Sequence, residues 1–261
     1  MASYRSGALK IAIVGYGVVG KATHLGLLNN DPDVTINDIN INQYAESIIE
    51  SQDLIFVCIP TGNQNEILVA INLCRCLAES NPNAEIVVRS TIPVSYIADL
   101  NNACGGRLIY CPEFLRERKW DIDCHIRPIL IASSMADLKF FNIVPQEDCT
   151  RKSLEEIAII KLMANVFNSV RITFANHVYE YCKVNNADFN QVISFINNQQ
   201  RNGLQSYLEV SDDLRGFGGK CLPKDLKFCI DDFEKQNLDQ TFFTGIEQDN
   251  TSWPTTIRND Q

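Results

Sequence analysis

Residues 10–38 read KIAIVGYGVVGKATHLGLLNNDPDVTIND, which is the most regular pattern in the chain. The apolar, β-branched run at 10–14 predicts a strand, and GYGVVG at 15–20 predicts a tight turn that opens a helix. A second apolar run at 34–37 predicts another strand, which ends at Asp38. Strand, glycine turn, helix, strand and acid in this order indicate a Rossmann-type dinucleotide-binding unit.

The residues of this turn have predicted roles at the cofactor. The first glycine permits the tight turn, the second lets the backbone approach a pyrophosphate, and the third lets helix and strand pack closely. The helix start then offers free N–H groups to the phosphates. The predicted loop contacts are Gly15, Gly17, Val18, Val19 and Gly20. Asp38 is placed to bind a ribose diol and would repel a 2′-phosphate, which favours NAD over NADP.

The alternation of strands and helices continues to about residue 150, which predicts a doubly wound parallel sheet over residues 1–150. Further strands are predicted at 53–59, 85–88, 107–110 and 129–132, and a helix at 66–77. A smaller, mainly helical domain is expected over 151–236. Its predicted helices are a long one at 153–183, opened by the capping box of Ser153 and Glu156, and two more at 188–198 and 222–233. Residues 237–261 form a polar tail that is expected to be loosely ordered.

Composition limits the function classes. The 261 residues carry a net charge of −9, which argues against a broad nucleic-acid groove, and 45% of them are hydrophobic, which argues against disorder. The apolar runs are strand-sized and no small-residue cleavage site follows the first, so neither a membrane span nor a signal peptide is expected. The ten cysteines lack zinc spacing and predict no metal site. All but one are expected to be buried thiols in a reducing cytoplasm.

The stretch FGGKCLPKD at 217–225 carries the clearest chemical signal. Cys221 follows paired glycines, is flanked by Lys220 and Lys224, and precedes a predicted helix start. Such surroundings lower the pKa of a thiol and favour the nucleophilic thiolate, and the alternative is a structural thiol on a glycine turn. Asp225 lies four residues further on, where it can hold a water or a partner side chain.

Two pairs of polar residues are each four residues apart. Lys161 and Asn165 share one face of the long helix, where they either stabilise a developing oxyanion or place a lysine on the surface. Glu113 and Glu117 follow a strand end, and Pro112 favours a helix start at Glu113. These acids either serve acid–base chemistry or complement the helix dipole.

Together these motifs resemble the UDP-glucose/GDP-mannose dehydrogenase family, whose members use NAD to oxidise the primary alcohol of a nucleotide sugar to a carboxylate. The matching stretches are GYGVVG at 15–20, STIP at 90–93, PEFLRE at 112–117, Lys161 with Asn165, and GFGGKCLPKD at 216–225. The resemblance implies NAD as cofactor, a nucleotide-sugar substrate and a homodimer formed through the long helix. The apolar stripe predicted to form that dimer face is Ile157, Ile160, Met163, Val166 and Val170.

The resemblance also implies a role for each site residue. Cys221 would capture the aldehyde intermediate as a thiohemiacetal, Lys161 and Asn165 would steady the oxyanion, and Glu113 would be the acid–base group. The residues implied to hold the catalytic water are Thr91 and Asp225. The further implied contacts to NAD are Asp38, Thr61, Glu117 and Lys224.

Three features depart from the family pattern. Only about 35 residues follow Asp225, too few for the family's third domain, which helps to bind the nucleotide. Ala158 stands where a glutamate is common, and the run between Asp38 and Asp53 is short. The alternatives to a compact nucleotide-sugar dehydrogenase are therefore a related dehydrogenase of a smaller hydroxy substrate and a non-catalytic NAD-binding module.

Overall fold

The structure is a computed structural model that describes residues 9–41, 51–136, 138–199, 210–235, 237 and 240–255. The chain forms two compact units, Met1–Lys161 and Leu162–Gln261. The division between the units falls within a helix, and the domain boundary near residue 150 stays a prediction.

The first unit is built on a parallel, five-stranded sheet. Its strands are β1 (Ile11–Val14), β2 (Thr35–Asn37), β3 (Leu54–Val57), β4 (Glu85–Val88) and β5 (Leu108–Tyr110). They lie in the order β2-β1-β3-β4-β5, and every neighbouring pair is parallel. The predicted doubly wound parallel sheet is therefore confirmed.

The central strands of this sheet are buried. Every residue of β1, β3 and β4 is buried, as expected where helices cover both faces, and such strands appear in the sequence as continuous apolar runs. The strand order reverses at β1, which has β2 on one side and β3 on the other. The glycine turn follows β1 and so lies at this switch point, where open parallel sheets bind ligands.

The helices of the first unit follow the strands along the chain. They are α1 (Val18–Leu28), α2 (Gln64–Ser80), α3 (Ile97–Ala103) and α4 (Trp120–Asp123). Helix α2 begins two residues earlier than predicted because its start is capped. The Asn63 side chain accepts the Glu66 N–H at 3.1 Å, and the Glu66 carboxylate accepts the Gly62 N–H at 2.5 Å.

Residues 129–132 do not join the main sheet as a strand, contrary to the sequence prediction. Strand β6 (Ile129–Ile131) pairs in parallel with β7 (Cys149–Arg151), which the sequence analysis did not predict. Ala132 makes one antiparallel bridge to Tyr110 at the end of β5. An apolar run predicts a strand but does not identify the strand that pairs with it.

The prediction of a helix starting at Glu113 is wrong. Residues 111–116 have no regular structure, and a 3₁₀ turn at Glu117–Lys119 leads into α4. The cause is a tertiary contact, since the Arg116 guanidinium donates to both carboxylate oxygens of Asp123 at 2.9 and 2.8 Å. The backbone N–H of Arg116 also donates to Asp123, at 2.8 Å. These charge-assisted bonds to a buried carboxylate override the local helix signal.

The long predicted helix is confirmed as α5 (Leu154–Val184), which spans the division between the two units. Its capping box forms, because Ser153 Oγ accepts the Glu156 N–H at 3.1 Å and the Glu156 carboxylate accepts the Ser153 N–H at 2.7 Å. The second unit continues with α6 (Phe189–Gln199), α7 (Leu222–Lys235) and α8 (Thr241–Asn250).

Helix α8 lies in the stretch that was expected to be loosely ordered. Its Phe243 ring packs edge-on against Phe233 of α7, with 4.8 Å between the ring centroids. Asn250 accepts the Phe217 N–H at 2.8 Å and donates to the Phe217 carbonyl at 3.0 Å. These tertiary contacts order a segment whose weak periodicity gave no helix signal.

Two further expectations are changed by the structure. Seven of the ten cysteines are buried and Cys149 is half-buried, but Cys76 on α2 is exposed, so the expectation of a buried thiol is wrong there.

Leu154–Asn176 of α5 is long and apolar enough to cross a membrane by length and composition, with a mean hydropathy of 1.4. Half of its most apolar window is nevertheless buried within the protein, as in the core helix of a soluble protein.

Candidate active site

Two glycines of the turn after β1 are required by the fold itself. Gly15 has φ +89°, in the left-handed region, and a Cβ there would lie 2.6 Å from the Cys58 carbonyl oxygen. A Cβ at Gly20 would overlap the Gly15 carbonyl oxygen. The close helix–strand approach predicted for this position is therefore present.

Gly17, the remaining glycine of this turn, is not required by the surrounding described residues. Its φ of −71° suits any residue, and a Cβ there would meet no atom within 4 Å. It is the N-cap of α1, whose first N–H groups, including those of Val18 and Val19, have no partner within a helix. This open space before a helix start fits the pyrophosphate of a dinucleotide.

Asp38 is tied to the same turn. Its Oδ2 accepts the Tyr16 N–H at 2.6 Å, and its Oδ1 accepts the Asn40 N–H at 2.8 Å. These backbone hydrogen bonds, that from Tyr16 first, lower the pKa of the Asp38 carboxyl. Asp38 is therefore a carboxylate at neutral pH, as a ribose-diol acceptor must be.

Thr61 and Thr91 join neighbouring strand ends at the ligand-binding edge of the sheet. Thr61 follows β3 and Thr91 follows β4, and the Thr61 hydroxyl donates to the Thr91 carbonyl at 2.9 Å. Both residues are buried. The sequence placed them at strand ends, and the structure shows that they are in contact.

Lys161 forms an ion pair with Glu113, whereas the sequence analysis paired Lys161 with Asn165 and Glu113 with Glu117. Lys161 Nζ lies 3.3 Å from Glu113 Oε1, and the two side chains are only 2% and 11% exposed. The same ammonium lies 5.3 Å from the centroid of the Phe114 ring. Glu117, in contrast, begins the 3₁₀ turn and does not share a helical face with Glu113, so its predicted contact with NAD stays a prediction.

Glu113 is ionised although it is buried. Burial raises the pKa of its carboxyl. The Lys161 charge, the Leu115 N–H at 2.5 Å and the Arg89 charge together lower this pKa by more than burial raises it. The net pKa is below the ordinary value. Glu113 is therefore a carboxylate at neutral pH and can accept a proton from a hydroxyl group.

In the second unit, Cys221 lies directly before α7. Gly219 has φ +76°, which favours glycine at the turn, and the Asp225 N–H donates to the Cys221 carbonyl at 2.8 Å. This bond closes the first turn of α7, so Cys221 stands at the positive end of the helix dipole. The residue is half-buried, and its predicted reactivity stays a prediction.

Asp225 and Asn165 form a polar pair within the second unit. Asp225 is fully buried, and Asn165 Nδ2 donates to its Oδ2. Lys224 Nζ lies 3.0 Å from Asp225 Oδ1. The residues to which the resemblance gives separate roles, at the oxyanion and at the catalytic water, are thus in direct contact, and Lys224 adds a positive charge beside them.

Sequence reasoning gave no role to two buried charged residues close in sequence to predicted site residues. Arg89 is 6% exposed and directly follows β4, while Asp123 is 5% exposed and binds Arg116. The signal for Arg89 was available, because a charge directly after a buried apolar run stands at the ligand-binding edge of a parallel sheet. Asp123 carries no such local signal, since its partner is seven residues away on an irregular segment.

Residues 155–252 match the model of the UDP-glucose/GDP-mannose dehydrogenase family, central domain. The resemblance to this family is confirmed. The matched region contains Lys161, Asn165, Cys221 and Asp225. It also contains α8, so similarity to the dehydrogenase family continues into the stretch that was expected to be a loose tail.

Curated relatives carry the names of both activities of the family. The chain is 24% identical to UDP-glucose 6-dehydrogenase of Campylobacter jejuni over 93% of its length and 72% of that protein. It is 26% identical to UDP-glucose 6-dehydrogenase of Streptococcus pneumoniae and 24% identical to GDP-mannose 6-dehydrogenase of Pseudomonas syringae. The chain covers 51% and 52% of these two proteins, about half of their length, while they match 82% and 80% of the chain.

A solved structure supports the fold. The UDP-glucose dehydrogenase of the archaeon Pyrobaculum islandicum superposes with a TM-score of 0.76 over 97% of this chain and 70% of that one, at 20% identity. The parallel sheet followed by a helical region is therefore shared with a solved nucleotide-sugar dehydrogenase.

Proposed function

We propose that this protein is an NAD-dependent dehydrogenase that oxidises the primary alcohol of a nucleotide sugar to a carboxylate through Cys221. The observation that carries the proposal is the start of α7, where Cys221 precedes a helix whose buried Asp225 is bound by Asn165. A thiol at a helix N-terminus with buried polar groups nearby suits covalent capture of a carbonyl. The open space at Gly17 and the ionised Asp38 support NAD as the cofactor.

When bound, NAD would supply the hydride acceptor for each of two oxidation steps. In the first, the Glu113 carboxylate takes the hydroxyl proton and the Lys161 charge stabilises the developing alkoxide. The Cys221 thiolate then adds to the aldehyde carbon, and the carbonyl oxygen becomes an oxyanion that Lys161 and Asn165 stabilise. Loss of the second hydride leaves a thioester. Water adds to that carbon, the C–S bond breaks, and the acid leaves with the thiolate restored.

The names of the relatives support a nucleotide-sugar substrate, since UDP-glucose and GDP-mannose dehydrogenases both occur among them. All ten cysteines are free thiols, which fits a reducing compartment such as the cytoplasm. The direct test measures NADH formation with UDP-glucose, GDP-mannose and small hydroxy acids. We expect turnover of a nucleotide sugar with two NADH per sugar. Turnover of small hydroxy acids alone, or NAD binding without any turnover, would refute the proposal.

The cofactor preference is expected to depend on Asp38. Asp38→Ala should weaken NAD binding by on the order of 1–2 kcal/mol, the scale of a lost hydrogen bond to a charged group. Isothermal calorimetry with NAD and NADP measures the effect. Asp38→Asn is the matched control, because it keeps an acceptor for the Tyr16 N–H and removes only the charge. Equal binding of NADP and NAD by the unaltered protein would contradict this prediction.

We also propose a homodimer through α5, on a face that shares only Ile160 with the predicted stripe. Ile157 and Val166 of that stripe are buried at 0% and 3% exposure, so they cannot form an interface. The exposed apolar side chains Ile160, Phe167 and Phe174 are instead seven residues apart, at 37%, 54% and 48% exposure. Heptad spacing of this kind forms a seam that a second copy of the helix can cover.

The expected result is a dimer that Phe167→Glu together with Phe174→Glu converts to a monomer. Analytical ultracentrifugation over a range of concentrations measures the mass. Phe242→Glu, an exposed phenylalanine on α8, is the control and should leave the dimer intact. A concentration-independent monomer mass for the unaltered protein would rule the dimer out.

A further inference from the structure

Arg89 is a buried cation whose hydrogen bonds within the described residues go to neutral groups. Its Nη1 donates to the Cys111 carbonyl at 2.9 Å and to the Cys111 Sγ at 3.0 Å. Its Nε donates to the Thr23 hydroxyl oxygen at 3.3 Å. A buried guanidinium is costly unless a charge compensates it, so the position of Arg89 calls for a nearby anion.

One side of this arrangement reaches the start of the cofactor helix. The Thr23 hydroxyl donates its proton to the Val19 carbonyl at 2.8 Å, which leaves its oxygen to accept from Arg89. Val19 is in the first turn of α1, two residues after the N-cap Gly17. Thr23 is fully buried, so water does not compete for these bonds.

The other side reaches Glu113. The Cys111 carbonyl that Arg89 binds is two residues before Glu113, in the irregular segment after β5. The Arg89 charge also contributes to the lowered pKa of the Glu113 carboxyl, after burial, the Lys161 charge and the Leu115 N–H. The Arg89 charge thus acts on the same carboxylate as the Lys161 charge.

The charged and titratable groups around Glu113 come from several elements. Lys161 on α5 forms the ion pair, and Arg89 acts from the end of β4. The Glu113 charge in turn acts on the Cys58 thiol after β3, but it is mainly burial that raises the pKa of Cys58 to about 12, so this thiol stays neutral. Two cations therefore hold one carboxylate ionised.

We propose that Arg89 is a positioning residue that joins the first turn of α1 to the Glu113 segment and holds the Glu113 carboxylate in place for alcohol oxidation. Only the kinetic part of this role rests on the proposed function. The bonds to Thr23 and Cys111 need donors in two directions, which the planar fork of arginine supplies and the single ammonium of lysine does not.

The experiment compares Arg89→Met, Arg89→Lys and Thr23→Val with the unaltered protein. The first readout is the titration of the Glu113 carboxyl, followed by NMR of ¹³C-labelled glutamate and assigned through its absence in Glu113→Gln. Arg89→Met should raise the pKa of Glu113 by about one unit, the effect of removing a neighbouring opposite charge. Arg89→Lys should restore most of that shift. Arg75→Met, an exposed arginine on α2 whose side chain binds Asn72, is the control and should change nothing.

The second readout is the pH dependence of kcat/KM. An acting base must be ionised, so the rate falls as the pH drops through the pKa of Glu113, and in Arg89→Met this limb should move to higher pH. Thr23→Val should leave the limb in place but weaken NAD binding severalfold, because only the link to α1 is cut. If Arg89→Met does not fold, the other two variants provide the test. Arg89→Lys keeps the charge and should keep most of the Glu113 pKa shift, while Thr23→Val cuts the link to α1 and should weaken NAD binding.

An unchanged Glu113 titration in folded Arg89→Met would overturn the role of Arg89, and so would unchanged NAD binding in Thr23→Val. These readouts need no turnover, so they still decide the matter if the protein oxidises no nucleotide sugar. In that case the proposed function fails while the positioning role is judged on titration and binding alone. Turnover with two NADH per sugar, together with an unmoved pH limb in Arg89→Met, would defeat the positioning role and leave the proposed function standing.

Discussion

Cys221→Ser is expected to lower formation of the acid by roughly a thousandfold or more, the scale on which loss of an activated nucleophile lowers kcat. A serine hydroxyl is far less ionised than a thiol, even at the start of α7, so it captures the aldehyde poorly. The reaction should then stop after the first oxidation, with one NADH per sugar, or leave a stable ester on the protein. Coupled measurement of NADH and acid, together with the intact mass of the protein, distinguishes these results.

Cys76→Ser is the matched control for this prediction. Cys76 is the exposed cysteine on α2 and has no proposed role, so its replacement should leave both the rate and the NADH count unchanged. Full turnover by Cys221→Ser would show that the thiol is not the nucleophile and would remove the covalent part of the proposed reaction.

Lys161→Met is expected to have the second largest effect. It removes the charge proposed to stabilise the oxyanion, so kcat should fall by about a hundredfold or more while KM changes little. It also leaves Glu113 as a buried carboxylate on which the Arg89 charge and the Leu115 N–H still act. Breaking a buried ion pair on one side costs about 3 kcal/mol of the free energy of unfolding.

The pH dependence of stability separates the two effects. The pKa of Glu113 is lowered in the folded protein, so its ion pair contributes stability above the unfolded-state pKa of about 4.3, and this stability is lost as the pH falls through the folded-state pKa. In Lys161→Met the folded-state pKa should rise, so the variant loses most stability at neutral pH and less in acid. Thermal unfolding from neutral to acidic pH measures this difference.

Adding Glu113→Gln to Lys161→Met is the matched control. The double variant has no buried carboxylate to compensate, so it should regain part of the lost stability while remaining catalytically impaired. A double variant that is no more stable than Lys161→Met alone would mean that the loss came from packing around the lysine stem and not from an uncompensated charge.

The parts of the fold that could be predicted from sequence are those determined by local rules. The glycine turn was predictable because glycine is required at Gly15 and Gly20 by backbone conformation and by crowding within one strand–turn–helix unit. Strand β4 was predicted residue for residue, since a strand buried on both faces is a continuous apolar run. The capping box of α5 was predictable for the same reason, because its two bonds lie within four residues.

The parts that escaped prediction are determined by contacts between distant residues. The pairing of Lys161 with Glu113 joins positions 48 apart, and that of Asn165 with Asp225 joins positions 60 apart. The irregular form of the Glu113 segment depends on Arg116 binding Asp123, which outweighs the helix signal of a proline before an acid. Residue types and motifs therefore indicated which side chains are candidates for catalysis or binding, but only the structure showed which of them are in contact.

The antiparallel bridge between Tyr110 and Ala132 has a consequence for self-association. The edge strand of a sheet presents unpaired backbone groups, which can template pairing with another chain and lead to aggregation. Here Tyr110 exchanges both backbone hydrogen bonds with Ala132, at 2.8 and 2.9 Å, so the outer edge of β5 is occupied at its end. The opposite edge strand, β2, has only three residues. The segment that failed to join the sheet as a strand thus leaves less of that edge open to pairing with another chain.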